Sequence, residues 1–145
     1  METKLSPRLQ EMVEALPLRA GIRVLEIGCG PGAMARAMVN KIGDGHVLGI
    51  DRSSKAIQLA INRSEKEINS GSLSFRQEAI EKFELKADEA PFDIAVAIRV
   101  GALDGRHKEI EEVALKQIAK ALKRTGKLFI DGGSPLIEVA LDAYR

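Results

Sequence analysis

Cysteine, histidine and aromatic residues are all scarce in this chain of 145 residues. The single cysteine, Cys29, excludes an internal disulfide framework and a cysteine-rich zinc site. The two histidines have no cluster of carboxylates at ligand spacing, so we predict no metal site. Tryptophan is absent, and four phenylalanines with one tyrosine are too few to form a surface that stacks nucleic-acid bases.

Charge of one sign and long hydrophobic runs are also lacking. The 22 Lys and Arg residues nearly balance the 21 Asp and Glu residues, so the net charge of +1 gives no field that would attract a nucleic acid. No apolar run approaches the roughly 20 residues of a membrane span, and residues 1–10 lack the apolar segment of a secretory signal. We therefore expect a single cytoplasmic domain, residues 1–145, with neither a membrane nor a nucleic-acid partner.

Apolar periodicities of the strand and helix types alternate along the chain. Short apolar runs predict five strands, over residues 22–27, 46–50, 72–77, 92–98 and 127–130. Helical spacing or capping residues predict helices over 9–16, 33–41, from Ser53 or Ser54 onward, 78–89, 110–122 (with Gly126 as C-cap) and from Ser134 to the terminus. This alternation predicts an α/β three-layer sandwich with a mostly parallel five-stranded sheet.

Residues 24–32 form the most informative segment, which reads Val-Leu-Glu-Ile-Gly-Cys-Gly-Pro-Gly. It follows a predicted strand and opens a predicted helix, the context in which backbone N–H groups bind a polar or anionic ligand. Gly28 and Gly30 allow a ligand to lie directly against the backbone. Asp51 ends the next strand about 20 residues later, the usual distance for a carboxylate that binds ribose hydroxyls. The segment therefore predicts a nucleoside site at the carboxyl end of the sheet.

Two classes of cofactor fit this loop. Residues 28–33 match the G-x-G-x-x-G/A pattern of dinucleotide-binding proteins. Glu26, however, lies two residues before the first glycine, where its charge would repel a pyrophosphate and attract an ammonium group. We therefore favour a ligand that joins an amino acid to a nucleoside, and an NAD(P)-dependent oxidoreductase is the less favoured alternative.

Residues 24–32 resemble the first motif of the class I S-adenosylmethionine-dependent methyltransferases. Residues 46–53 are similar to the second strand of that family with its ribose-binding acid, and residues 92–98 and 126–130 to its fourth and fifth strands. The resemblance covers roughly residues 8–135. It implies a Rossmann-like sheet in the order 3-2-1-4-5 and S-adenosylmethionine as the cofactor.

The resemblance also implies roles for individual residues. Glu26 and the motif residues Gly28, Cys29, Gly30 and Gly32 would surround the methionine part of the cofactor. Arg99 would close the pocket near the substrate. The residues that would contact the ribose and adenine are Asp51, Arg52, Ala79 and Ile80. Ala79 stands where the family has an acid that contacts adenine, and Glu78 or Glu81 is the substitute nearby.

No residue can be assigned as the catalytic base from the sequence. Methyl transfer from a sulfonium needs chiefly in-line positioning, and a base is needed only when the acceptor must lose a proton. Asp104 and His107 are the candidates for a base, because both lie in the loop after the fourth strand. The favoured interpretation is structural: Asp104 begins the long helix and His107 lies in solvent in its first turn.

Past the fifth strand the family continues with two more strands, which this sequence is not expected to contain. The fifth strand would then be an open apolar edge, so we expect a homodimer or a partner chain to cover it. The function predicted is methyl transfer from S-adenosylmethionine to an unidentified small-molecule or protein acceptor. The alternative within the same fold is a non-catalytic module that binds the cofactor or a partner.

Overall fold

A computed structural model describes residues 5–103, 105 and 107–145 of the chain. Six strands form one sheet: β1 (Arg23–Ile27), β2 (His46–Asp51), β3 (Leu73–Gln77), β4 (Phe92–Ala97), β5 (Leu122–Asp131) and β6 (Leu136–Val139). Five α-helices are α1 (Pro7–Ala15), α2 (Ala33–Val39), α3 (Ser54–Arg63), α4 (Glu65–Asn69) and α5 (Lys108–Ala121). Short 3₁₀ helices span Ile80–Lys82, Gly101–Leu103 and Asp142–Tyr144.

The strands are ordered β3-β2-β1-β4-β5-β6, and the first five are parallel. This confirms the predicted α/β class and the order 3-2-1-4-5. One face of the sheet packs against α1 and α2 through Met12, Met34 and Met38. The other face packs against α5 through Leu115 and Ile118. Strands β1 and β4 are covered on both faces. Strand β4 is apolar except for Asp93, as expected for a central parallel strand, whereas β1 carries the charged residues Arg23 and Glu26.

The chain after β5 differs from the prediction. The helix expected from Ser134 onward is wrong, because Leu136–Val139 forms the antiparallel strand β6 beside β5. Its sequence Leu-Ile-Glu-Val contains two β-branched residues, which favour a strand over a helix. The expectation that β5 is an open edge is therefore also wrong. The homodimer or partner chain was expected in order to cover this edge; without that reason it stays a prediction.

Gly126 is not a helix C-cap, which corrects a second prediction. Helix α5 ends at Ala121, and Leu122 already pairs with Phe92 as the first residue of β5. The pairing of β4 with β5 then shifts register before Lys127, so Gly126 lies in an irregular part of the strand. The guanidinium of Arg145 donates hydrogen bonds to the carbonyl oxygens of Lys123 (3.1 Å) and Gly126 (2.8 Å), which satisfies groups that the irregular pairing leaves free.

The helix predicted over residues 78–89 is also wrong, since only the 3₁₀ turn Ile80–Lys82 forms there. The carboxylate of Glu89 accepts a hydrogen bond from the Lys86 amide at 3.1 Å and pairs with Arg76 at 2.7 Å. Burial acts to raise the pKa of Glu89, but these bonds hold it below its ordinary value. The side chain of Glu89 thus links the irregular segment before β4 to Arg76 in β3.

Helix α3 offers a test of capping, because the sequence left Ser53 and Ser54 as alternative N-caps. Ser53 is the cap: its hydroxyl accepts the Ala56 amide hydrogen at 3.2 Å, whereas Ser54 is the exposed first residue of the helix. We expect Ser53→Ala to lower the free energy of unfolding by about 1 kcal/mol and Ser54→Ala to change it by less than half of that. Urea unfolding of the two variants measures both values. Equal losses would contradict the assignment.

Candidate cofactor site

The glycine loop between β1 and α2 is hydrogen-bonded to the end of β2. The amides of Gly28 and Cys29 both donate to the carbonyl oxygen of Ile50, at 2.9 Å each. Gly28 has a φ of +73°, and a Cβ there would lie 2.9 Å from Cγ2 of Val100, so only glycine fits without movement. At Gly30 (φ +53°) a Cβ would meet nothing within 4 Å. The Cβ direction is therefore blocked by Val100 at Gly28 and faces open space at Gly30.

Asp51, the last residue of β2, has its carboxylate held by two backbone amides. Its Oδ2 atom accepts from the Gly30 amide and its Oδ1 atom from the Ser53 amide, both at 2.9 Å. Each oxygen keeps a second acceptor position, because a carboxylate oxygen can take two hydrogen bonds. The carboxylate is thus oriented in advance and can still accept from the hydroxyl groups of a ligand.

A cavity of about 230 Å³ opens at the carboxyl end of the sheet. Six of the ten predicted cofactor-binding residues line it: Gly28, Asp51, Arg52, Ala79, Ile80 and Arg99. The remaining lining residues are Ile27, Ile50, Glu78, Glu81, Val100, Gly101 and Ala102. The cavity is smaller than the roughly 300–1,000 Å³ of pockets that enclose a whole small molecule, so it suits one part of a larger ligand.

The other four predicted residues, Glu26, Cys29, Gly30 and Gly32, do not line this cavity. Gly32 is buried beside α3 and β3, where a Cβ would lie 2.9 Å from the ring of Phe75 and 3.3 Å from the Cβ of Ala60. Its place in the motif therefore has a packing reason. Direct contact of Gly32 with a ligand stays a prediction.

Glu26 is a buried acid with an unsatisfied oxygen. Its residue exposure is 4%, and its Oε1 atom has no hydrogen-bond partner among the described residues. Burial, and after it the charge of Asp51, raises the pKa of Glu26 from 4.5 to about 8, against smaller opposing effects of Arg36 and the Ala35 backbone. A buried polar atom without a partner is costly in a native protein, so Glu26 is a candidate for a role in ligand binding.

Arg36 holds the glycine loop from the helix side, a role that the sequence analysis missed. Its Nη1 atom donates to the carbonyl oxygen of Pro31 and to the hydroxyl of Ser64, both at 2.9 Å. Ser64 is fully buried at the junction of α3 and α4. The sequence carries no recognisable signal for this role, because Arg36 is simply the fourth residue of α2. Val100 was missed for a different reason, since its contact with Gly28 exists only in the folded chain.

Near the predicted adenine contacts, the carboxylate of Glu78 is bound to the backbone amide of the next residue. Its Oε1 atom accepts from the Ala79 amide at 3.2 Å, while Ala79 and Ile80 line the cavity. Glu81 also lines the cavity. Both acids therefore lie beside Ala79, and the substitution of either for an adenine-contacting acid stays a prediction.

Of the two candidate bases, the structure describes only His107. Asp104 lies outside the described residues. His107 is exposed at the start of α5, makes no side-chain capping hydrogen bond and is not among the lining residues. A catalytic role for either residue stays a prediction.

Within the described part of the chain, no three His, Cys, Asp or Glu side chains come together as a metal-binding group. None of the described helices has the length and apolar character needed to cross a membrane.

The buried acid makes the stability of the ligand-free protein depend on pH. Between pH 4.5 and 8 the folded state holds a proton on Glu26 that the unfolded state has lost, so the free energy of unfolding falls as pH rises. We expect a contribution of up to about 1.4 kcal/mol per pH unit in this range. Glu26→Gln should remove it and be the more stable form at pH 8. Urea unfolding at pH 5, 6, 7 and 8 measures the free energy of unfolding, with Glu84→Gln, at an exposed position, as control. If this free energy depended on pH in the same way for Glu26→Gln and wild type, the prediction would be contradicted.

Cys29 has the surroundings of a packing residue. Its side chain is buried, and burial together with the charges of Glu26 and Asp51 raises the pKa of the thiol, which disfavours the reactive thiolate. We expect iodoacetamide at pH 8 to modify Cys29 slowly in the folded protein and at the rate of a free thiol in urea. Mass spectrometry of timed samples measures both rates, and fast labelling of the folded protein would contradict this assignment.

The amino-acid sequence matches the family described as methyltransferase domain over residues 18–142, most of the chain. It is 35% identical over 127 residues to 27-O-demethylrifamycin SV methyltransferase of Amycolatopsis mediterranei. The aligned segment covers 87% of this chain and 43% of that protein. It is 31% identical over 104 residues to sterol 24-C-methyltransferase erg6 of Aspergillus fumigatus, with 70% and 27% coverage. The chain thus spans less than half the length of these curated relatives.

The fold is similar to that of an S-adenosylmethionine-dependent methyltransferase from Thiobacillus denitrificans solved with S-adenosyl-L-homocysteine. The TM-score is 0.67 at 24% identity, over 86% of this chain and 48% of that one. The resemblance to the class I methyltransferases is therefore confirmed, and S-adenosylmethionine is the cofactor named for the Thiobacillus denitrificans protein. The chain belongs to the methyltransferase domain family, with the Rossmann-like sheet and glycine loop of its S-adenosylmethionine-dependent members.

Proposed function

We propose that this chain binds S-adenosylmethionine at the carboxyl end of β1 and β2 and transfers its methyl group to an acceptor. The observation that carries the proposal is the unsatisfied Oε1 atom of the buried Glu26 beneath the glycine loop. Once ionised, an acid in that position is stabilised by a cation, and the amino group of a methionine moiety is one. A pyrophosphate would instead add negative charge beside Glu26 and Asp51.

Each part of the cofactor has residues suited to it. Asp51 accepts the ribose hydroxyls, since its carboxylate is already oriented by the amides of Gly30 and Ser53. The adenine lies in the cavity against Ala79 and Ile80, with Arg52 at its rim. The open space at Gly30 lets the methionine part cross the loop toward Glu26.

When bound, S-adenosylmethionine would supply a methyl group on a positively charged sulfur: an electron-rich acceptor atom would bond to the methyl carbon as the carbon–sulfur bond breaks, with neutral S-adenosylhomocysteine as the leaving group. The work of the protein is then to hold the acceptor in line and to keep competing water away. Arg99 and Val100 lie on the wall of the cavity where an acceptor would approach. A base enters only if the acceptor must lose a proton, and Asp104 and His107 remain the candidates for it.

The acceptor is not set by the family. The names of the two relatives above denote methylation at an oxygen and at a carbon, so this chain is assigned only to the general class of methyltransferases. A small molecule and a protein are both open as acceptors. We retain the cytoplasm as the proposed location, and a homodimer or partner chain as a proposal that light scattering over a range of concentrations would test.

Calorimetric titration with S-adenosylhomocysteine, NAD and NADP tests the cofactor site. We expect micromolar binding of S-adenosylhomocysteine alone. Because Glu26 must be ionised to pair with an ammonium group, affinity should rise as pH increases from 6 to 8, with release of a proton on binding. Glu26→Gln should weaken binding about tenfold or more at pH 8 and abolish this pH dependence. The exposed Glu84→Gln is the control and should bind as the wild type does.

Other results of the same titrations would contradict the proposal. Binding of a dinucleotide that is unchanged or tightened in Glu26→Gln would favour an oxidoreductase. Asp51→Ala should weaken any nucleoside ligand, so it tests the site rather than the cofactor class. If S-adenosylhomocysteine binds but cell extract with labelled S-adenosylmethionine gives no labelled product, the non-catalytic module would be favoured.

A further inference from the structure

Asp131, the last residue of β5, connects three parts of the molecule without lining the cavity. Its Oδ1 atom accepts a hydrogen bond from the backbone amide of Arg99 at 3.1 Å. Its Oδ2 atom pairs with the guanidinium of Arg8, in the first turn of α1, also at 3.1 Å. One carboxylate therefore joins the ends of β4 and β5 to the opening helix.

Arg99 has an unusual backbone conformation. Its φ is +56°, and among the described residues it is the one non-glycine in the left-handed region. Such a conformation costs about 1 kcal/mol or more and persists only where the surroundings hold it. The hydrogen bond from the Arg99 amide to Asp131 is a specific contact that does so.

The segment that starts at this strained residue is one wall of the cavity. Residues 99–102 all line it, and the side chain of Val100 packs against the glycine loop at Gly28. If Arg99 relaxed to an ordinary φ, the residues after it would be redirected and the contact with Gly28 would be lost. The shape of the cavity therefore depends on the conformation of Arg99.

We infer that Asp131 is a positioning residue for cofactor binding: its hydrogen bond to the Arg99 amide holds residues 99–102 as the wall of the cavity. This inference rests on the proposed function. The ion pair with Arg8 is a separate contact between exposed side chains, 46% and 23% accessible, and contributes little. The hydrogen bond, and not the charge, carries the effect.

Three variants separate the two contacts of Asp131. Asp131→Ala removes both, Arg8→Ala removes the ion pair alone, and Asp131→Asn loses the charge but keeps an oxygen that can accept from Arg99. If the released segment occupies the binding conformation about a tenth of the time, the apparent Kd rises about tenfold. We expect this increase in the Kd of S-adenosylhomocysteine for Asp131→Ala, and values within twofold of wild type for the other two variants.

Hydrogen–deuterium exchange of the ligand-free proteins gives a readout that does not depend on the cofactor. Residues 99–102 should exchange faster in Asp131→Ala than in wild type and return to the wild-type rate in Asp131→Asn. Unchanged binding and exchange in Asp131→Ala would overturn the inference. Losses of equal size in Asp131→Asn or Arg8→Ala would overturn it too, because the ion pair would then be responsible.

The two proposals fail in different ways. If wild-type protein does not bind S-adenosylhomocysteine, the proposed function is wrong, while exchange of residues 99–102 still tests the role of Asp131. If Asp131→Ala does not fold, amide exchange measured by NMR on the wild type decides: a slowly exchanging Arg99 amide supports the hydrogen bond. Rapid exchange at Arg99 overturns it.

Discussion

The attachment of the glycine loop to the end of β2 is the contact on which the candidate site depends. Two amides of the loop share the Ile50 carbonyl oxygen, and a third, from Gly30, binds the Asp51 carboxylate. Because β1 and β2 are adjacent parallel strands in register, these groups meet without any distortion of the sheet. The same bonds that close the loop also orient Asp51 toward the cavity. Loop conformation and ligand recognition therefore have a common cause.

The burial of Glu26 costs stability in a way that packing alone does not explain. It lies on a central strand between apolar neighbours, in a position that a valine or isoleucine would fill with greater stability. Burial and the charge of Asp51 both disfavour its ionised form, so the ligand-free protein keeps Glu26 protonated below about pH 8. A bound cation would stabilise the ionised form, and binding below that pH would have to release the proton. Stability of the free protein and ligand binding are thus opposed at this one residue.

The sequence was sufficient for the features that depend on local pattern. The parallel strands, the glycine loop and Asp51 follow from apolar runs, glycine spacing and the distance between two strand ends. The structure of the chain after Ser134 could not be predicted in this way, because Leu136–Val139 is too short for its periodicity to distinguish a helix from a strand. Pairing with β5 makes this segment a strand. The positions of Glu26, Val100 and Asp131 relative to one another depend on packing between distant segments. For the same reason Arg36 carried no recognisable signal, although it holds the loop.

The arrangement of charges also explains how one fold can select between cofactor classes that share a nucleoside. Asp51 suits any ribose, so it contributes affinity without discrimination. Under the proposed function Glu26 would discriminate, since two acids close to the loop, one of them buried, would repel a pyrophosphate at the place where a dinucleotide would carry it. The neutral cavity residues Ala79 and Ile80 would accept an adenine from either class. The proposed selectivity therefore lies in a single buried carboxylate, and the rest of the site would supply shape.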